Sequence, residues 1–195
     1  MSEVRTNKKY DAILEASKDL FWKHGFRRVT VEEICIVSGT SKMTFYRYFP
    51  NKSEVAKTVI NKVFDDGITE LRKIFRDETA PAEKLRKIIQ MKYDGTYSIS
   101  KEFMDDFYRN PEIGLSVHVD EKVKSTMMEY ISLFREGQDK GWIRKEMNLE
   151  FMFRFFQSMT IFLFDNKMLS LFNTPQDLIM EITNLFIYGI TPIKK

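Results

Sequence analysis

Lys42, Met43, Thr44, Tyr46 and Arg47 crowd into one short run of the chain. The set mixes cationic donors, a hydroxyl, a phenol and a thioether. Such groups hold phosphate oxygens, read the edges of bases or touch the methyl of thymine. Phe45 and Phe49 are interleaved with them at a spacing of four, so a helix would gather both rings on one face. That leaves Met43, Thr44 and Arg47 on the opposite face, with Lys42 and Tyr46 on its flank. Ser41 stands where a helix cap belongs.

A preceding element has to position this helix, and its signals are equally local. Thr30 and Glu33 have the spacing of a capping box, and Val29 and Ile34 that of a hydrophobic staple. Val31, Ile34, Cys35 and Ser38 follow a helical stripe. Gly39 can take the left-handed conformation that ends such a helix. Two short helices across a glycine turn form a helix-turn-helix, whose second helix enters a DNA major groove. The same spacing also suits a plain helical hairpin with Lys42 and Arg47 merely solvated.

Residues 10–64 resemble the N-terminal DNA-binding domain of the TetR family of transcriptional regulators. The matching residues are Ile13, Ala16, Leu20, Phe21, Gly25 and Phe26, then Thr30, Val31, Ile34, Gly39, Ser41, Tyr46, Phe49, Lys52 and Val55. The run TFYRYFPNKSEV, preceded by GTSKM, is the most specific part. Thr40, Cys35 and Ile36 depart from the family pattern without removing a DNA-facing group. The resemblance implies double-stranded operator DNA as a partner, with Thr30, Ser41, Lys42, Met43, Thr44, Tyr46, Arg47, Tyr48 and Lys52 as contacts. Lys42, Met43, Thr44 and Arg47 are the expected base readers. Thr30, Tyr46, Tyr48 and Lys52 are expected on phosphates.

The chain has 195 residues, 43% hydrophobic and 30% charged, with five prolines and eight glycines. Those proportions are ordinary for a soluble globular protein, and the few breakers favour long helices. Net charge is only +3, but residues 1–60 carry 11 Lys+Arg against 7 Asp+Glu, and the remainder 20 against 21. A basic first third beside a neutral remainder suits a DNA-binding head on a body with another task. The expected fold is all-α: a three-helix helix-turn-helix head, residues 1–52, joined by a long helix to a ligand-binding and dimerisation body, residues 53–195.

Along the chain, the first helix is expected over 7–24 and closed by Gly25. A long fourth helix starts at Asn51, with Val55, Val59, Val63, Phe64, Ile68, Leu71 and Phe75 on its stripe. It alone is expected to belong to both head and body, and Gly67 inside it marks a bend or a close packing point. Further helices are expected at 81–97, 101–109, 115–139 and 149–169, and a last one behind Thr174, Pro175 and Asp177. Helix 149–169 carries two apolar stripes and must be covered on two sides. One reading is a central core helix. The other, implied by the resemblance, is a homodimer built from the last two helices, with Phe155, Phe162, Ile182 and Phe186 at the interface.

Between 88 and 134 the body is rich in methionine and aromatic residues. Met91, Tyr97, Phe103, Phe107, Met127, Tyr130 and Phe134 are candidates to line a pocket for a largely apolar small-molecule effector. Core filling is the plainer reading of such residues. His118 is a further candidate anchor. Cys35 is expected as a small buried residue. Neither histidine has a neighbour at metal-ligand spacing, and no phosphate loop, nucleotide fingerprint or serine elbow is present, so no cofactor, metal or enzyme activity is expected. The most apolar run, 151–164, is too short to span a membrane, and a cytoplasmic location follows as an expectation. Two alternatives remain: a DNA-binding regulator without an effector, and a helical interaction module.

Overall fold

A computed structural model describes residues 8–108 and 114–192, with the side chains of 107, 108, 160 and 164 outside that description. The described residues form helices and turns, with no strand among them. Ten helices follow in order: α1 (Lys8–His24), α2 (Val31–Val37), α3 (Lys42–Tyr48), α4 (Lys52–Arg76), α5 (Pro81–Gly95), α6 (Lys101–Tyr108), α7 (Leu115–Asp139), α8 (Leu149–Met159), α9 (Asn166–Leu169) and α10 (Pro175–Ile190). Most starts follow from caps. Thr174 accepts from the Asp177 amide while Asp177 accepts from that of Thr174, and Pro175 takes the first helical position.

One long element differs from expectation. Helix 149–169 is not continuous: α8 ends at Met159, residues 160–164 tighten into a 3-10 turn, and α9 restarts behind Asp165. Asp165 is extended, with φ −86° and ψ 114°, and its carboxylate accepts from the Lys167 amide at 2.8 Å. An aspartate that caps a new helix competes with the old one for the same backbone.

The chain divides into two compact units, residues 1–62 with 98–119, and residues 63–97 with 120–195. The boundary between head and body is expected at 52, and the contact grouping runs past it. The first turns of α4, all of α6 and the start of α7 pack with the head. α4 and α7 each contribute to both units, so α4 is not alone in doing so.

In the first unit, Ile13, Phe21, Val29, Ile34, Phe45, Phe49, Val55 and Val59 form a buried interior. α6 closes on α1: the Ser100 amide donates to the Trp22 carbonyl at 2.8 Å, and the Phe103 ring sits 4.5 Å from that of Trp22. Gly25 ends α1 with φ +78°, and a Cβ there would stand 2.7 Å from an Asp106 carboxylate oxygen. His118 is held by Asn61 at 2.9 Å, a link from α7 to α4 rather than a free anchor.

In the second unit the aromatic residues go into one core. Phe75, Phe134 and Trp142 are buried, with ring centroids 5.2 Å apart for Phe75 and Phe134 and 4.6 Å for Phe75 and Trp142. Phe134 also meets Phe153 and Phe186. Each such side chain stabilises the fold by about 1.5–3 kcal/mol through burial. Buried Lys84 closes the end of α4 by donating to the carbonyls of Ile74, Phe75 and Asp77. Gly67 is not a close packing point, since nothing lies within 4 Å of where its Cβ would be, and α4 runs unbroken through it.

Candidate nucleic-acid interface

The helix-turn-helix is fixed by short-range bonds. The Thr30 hydroxyl accepts from the Glu33 amide at 3.1 Å, and the Glu33 carboxylate accepts from the Thr30 amide at 2.7 Å. These hydrogen bonds, the backbone one first, hold the Glu33 carboxyl below the usual carboxylate range. Val29 and Ile34 are both buried, as a staple requires. Gly39, at φ +63°, makes the turn, and the Thr40 amide reaches back to the Cys35 carbonyl at 2.9 Å. Ser41 then caps α3 by accepting from the Thr44 amide at 3.1 Å.

α3 sorts its side chains by face. Phe45 and Phe49 are buried, and Tyr10 of α1 stacks on Phe49 at 5.2 Å. Met43 is 83% exposed and Tyr46 54% exposed. Thr30, Ser41, Lys42 and Arg47 are also exposed, while Thr44 and Tyr48 are half-buried. The Arg47 guanidinium lies over the Tyr48 ring at 5.1 Å, which steadies an otherwise mobile side chain. Lys42 pairs with Glu32 at 3.0 Å, and this hydrogen bond raises its ammonium above the ordinary lysine range. Exposed pairs of this kind are worth little, so a phosphate can displace Glu32.

Lys52 is placed differently from its expected role. Its ammonium donates to the carbonyls of Phe26 at 2.7 Å, Arg27 at 3.2 Å and Val29 at 2.7 Å, and lies 4.4 Å from the Phe26 ring centroid. All three donors are spent on the loop between α1 and α2, and burial lowers its pKa. Lys52 therefore ties that loop down instead of reaching outward to a phosphate. Asp106 of α6 grips the same loop by accepting from the Arg27 amide at 2.7 Å.

Three features of this region lie outside what the sequence pattern predicts. Ile36 and Val37 are exposed apolar residues at the end of α2, 73% and 58% accessible. The departure of Ile36 from the family pattern was the available signal. Glu32 holds Lys42, and the ten-residue separation hid that pair. The Asp106 contact spans 79 positions and had no local signal.

The structure does not bring the seven candidate effector residues together. Phe134 is core, Met91 and Tyr130 pack half-buried against that core, and Met127 is half-buried. Tyr97 is 66% exposed. Phe103 packs on Trp22 in the first unit, and the Phe107 side chain lies outside the described residues. Met91 does line an open groove of about 690 Å³ along α4 and α5, but apart from Ile74 its companions are polar: Glu70, Lys73, Asp77, Lys87, Gln90 and Asp94. Of the candidate dimer residues, Phe155 and Phe162 are exposed, and Phe151 stacks beside Phe155 at 6.0 Å. Ile182 and Phe186 face inward: Ile182 is buried with Leu169 and Leu178, and Phe186 packs on Phe156 at 4.6 Å. On α10 the exposed apolar side chains are Leu185 and Tyr188. Among the described residues, no group of three His, Cys, Asp or Glu is placed to hold a metal, and no helix is long and apolar enough to cross a membrane.

Two capped helices with a cationic, aromatic outer face define a helix-turn-helix of the DNA-binding class. Residues 13–59 match the family model of the bacterial regulatory proteins of the TetR family. The HTH-type transcriptional regulator RutR of Escherichia coli strain K12 is 33% identical over 86 residues, 44% of this chain and 40% of RutR. The chain thus matches less than half the length of that relative. An uncharacterised HTH-type transcriptional regulator of Bacillus subtilis strain 168, YdgC, is 23% identical over 186 residues, 92% of this chain and 91% of YdgC. The fatty acid degradation regulator FadR of Bacillus halodurans shares the fold, with TM-score 0.69 at 20% identity over 95% of this chain and 97% of FadR. The family match thus covers the N-terminal residues 13–59, while the likeness of fold extends over most of the chain. The relatives are transcriptional regulators by name, not enzymes.

Proposed function

We propose that this chain is a DNA-binding transcriptional regulator, acting as a homodimer on a palindromic operator and released by a small, largely apolar ligand. The observation that carries the DNA reading is the outer face of α3. Lys42, Met43, Tyr46 and Arg47 project from a helix whose other face is locked by Phe45 and Phe49. Two such heads would read two half-sites. A ligand releases DNA only by favouring the released geometry, since equal affinity for both states shifts nothing. The test is selection of binding sites from random duplexes, followed by titration at several salt concentrations. A palindromic consensus with strong salt dependence is the expected outcome. Binding that ignores sequence would reject the operator reading.

The dimer surface we propose is Phe151, Phe155, Leu185 and Tyr188, the apolar side chains that α8 and α10 leave exposed. Phe155→Glu is expected to give a folded monomer by light scattering. Ile182→Glu, with its charge inside the protomer's own core, is expected to unfold the body instead. A wild-type monomer at micromolar concentration would reject the dimer.

A further inference from the structure

Glu32 sets a carboxylate beside the first residue of α3, and the cap of α2 does not use it. Capping falls to Glu33, which serves the Thr30 amide and hydroxyl. The Glu32 carboxylate crosses instead from α2 to α3 and accepts from the Lys42 ammonium at 3.0 Å. Both side chains are exposed, 66% for Glu32 and 58% for Lys42. The backbone beneath them is held. The Thr40 amide donates to the Cys35 carbonyl at 2.9 Å, the Ser38 and Thr40 hydroxyls share a hydrogen bond of 2.8 Å, and Phe45 is fully buried. In a helix-turn-helix the N-terminal residues of the second helix meet base edges, and Lys42 is the first of them.

A carboxylate at this place is repelled by DNA unless something on the DNA donates to it. A phosphate takes the ammonium and leaves the carboxylate unanswered. The major-groove groups that answer a carboxylate are the exocyclic amines, N4 of cytosine and N6 of adenine. In a C·G pair N4 is hydrogen-bonded to O6 of guanine, so a donor and an acceptor stand about 2.9 Å apart at the groove edge. Glu32 and Lys42 present an acceptor and a donor at 3.0 Å, the same spacing with the roles exchanged. An A·T pair repeats that spacing but surrounds it differently. It sets N7 of adenine, an acceptor, beside the carboxylate, and the thymine methyl beside the ammonium. A C·G pair sets N7 of guanine beside the ammonium, a second acceptor for a second donor.

We infer that Glu32 is a specificity-determining residue, and that Glu32 and Lys42 together read one C·G pair of the bound duplex. The carboxylate accepts from cytosine N4, and the ammonium donates to guanine O6 and N7. This rests on, and sharpens, the operator-binding reading of α3.

The experiment is selection of binding sites from random duplexes with the full chain as wild type, Glu32→Ala and Glu32→Gln, followed by titration of the selected site and its single-pair variants. Glu32 is exposed and lies outside the cap, so both variants should fold, and thermal unfolding checks this. The wild-type site should contain a C·G pair whose replacement weakens binding about tenfold. Glu32→Ala should lose the preference at that position alone. Glu32→Gln should shift it toward A·T, because an amide pairs with adenine N6 and N7 together. If Glu32→Ala binds every duplex more tightly by one common factor, with the preferred site unchanged, Glu32 only screens Lys42 and the inference falls while operator binding stands. If Glu32→Gln relaxes the position as Glu32→Ala does, without gaining adenine, Glu32 only positions Lys42 and the inference falls likewise. A wild type without sequence preference overturns the operator reading itself, and this inference with it.

Discussion

The head and the body use the same kinds of side chain in opposite senses. In α3 the aromatic Phe45 and Phe49 point inward and the cations Lys42 and Arg47 point outward. In the body one lysine, Lys84, is buried, while Phe151, Phe155 and Tyr188 stay outside. The difference comes from what orients each helix. α2 and α3 have seven residues each, and caps at Thr30 and Ser41 fix their start within one turn. α4 and α7 have 25 residues each, and their faces are set by partners far away in sequence. Outward chemistry in the head is therefore written locally, and inward chemistry in the body is not.

The largest effect should come from breaking the body's side of this comparison. Phe134 touches Phe75, Phe153 and Phe186 and is almost fully buried. Phe134→Ala should cost about 3–5 kcal/mol in urea unfolding, whereas Tyr97→Ala at an exposed site should stay within about 0.5 kcal/mol. Equal losses would mean that composition, not placement, governs the aromatic residues of the body.

That contrast also explains what the sequence reading reached. The caps at Thr30, Ser41 and Thr174 and the exact span of α7 were legible, because each rests on residues within a few positions of one another. The break after Met159 was missed because the apolar stripe ran on past it, while the deciding residue, Asp165, lay inside that stripe. Spacing yields a stripe but not its partner, so it points Ile182 and Phe186 to a dimer, whereas within the protomer Ile182 packs with Leu169 and Leu178 and Phe186 with Phe156. Lys52 was assigned to phosphate because its charge was visible and the three carbonyls, 23 to 26 positions away, were not.

A second test strikes the contact that ties α6 to the head. Gly25 combines a left-handed backbone with a carboxylate oxygen where a side chain would go. Gly25→Ala should destabilise the first unit by on the order of 2 kcal/mol from backbone strain and displacement of Asp106. Operator affinity should fall with it, because the loop from Gly25 to Val29 leads into α2. Thermal unfolding beside a DNA titration checks both. A variant that kept full stability would show that α6 yields without cost.

Arg47 and Lys52 sharpen the difference between an outward cation and a committed one. Arg47→Ala should leave stability unchanged and weaken operator binding by about 1–3 kcal/mol, with relaxed preference at one base. Lys52→Met should do the reverse. It strips a donor from three carbonyls, so stability should fall by about 1–3 kcal/mol. The salt dependence of DNA binding should keep its slope, since no phosphate contact is lost. A flattened slope in Lys52→Met would restore the phosphate role expected from sequence.

The smallest expected effect falls on Thr30, where cap and candidate DNA contact share one hydroxyl. That hydroxyl accepts from the Glu33 amide and donates to the Glu33 carboxylate at 3.0 Å, so both of its capacities are engaged inside the protein. Thr30→Ala should cost about 1 kcal/mol of stability through the lost cap. Thr30→Ser keeps the oxygen and should keep most of that stability. If the hydroxyl serves only as a cap, DNA affinity should follow stability across the three proteins, because α2 is then simply less well formed in the alanine variant. If it also meets a phosphate, Thr30→Ala should lose affinity at temperatures well below its melting point, and its salt slope should remain that of wild type, since a neutral hydroxyl releases no counterion. Titrations at two temperatures separate these outcomes. Affinity lost in Thr30→Ser, with stability intact, would implicate the methyl group, a contact that the capping geometry does not predict.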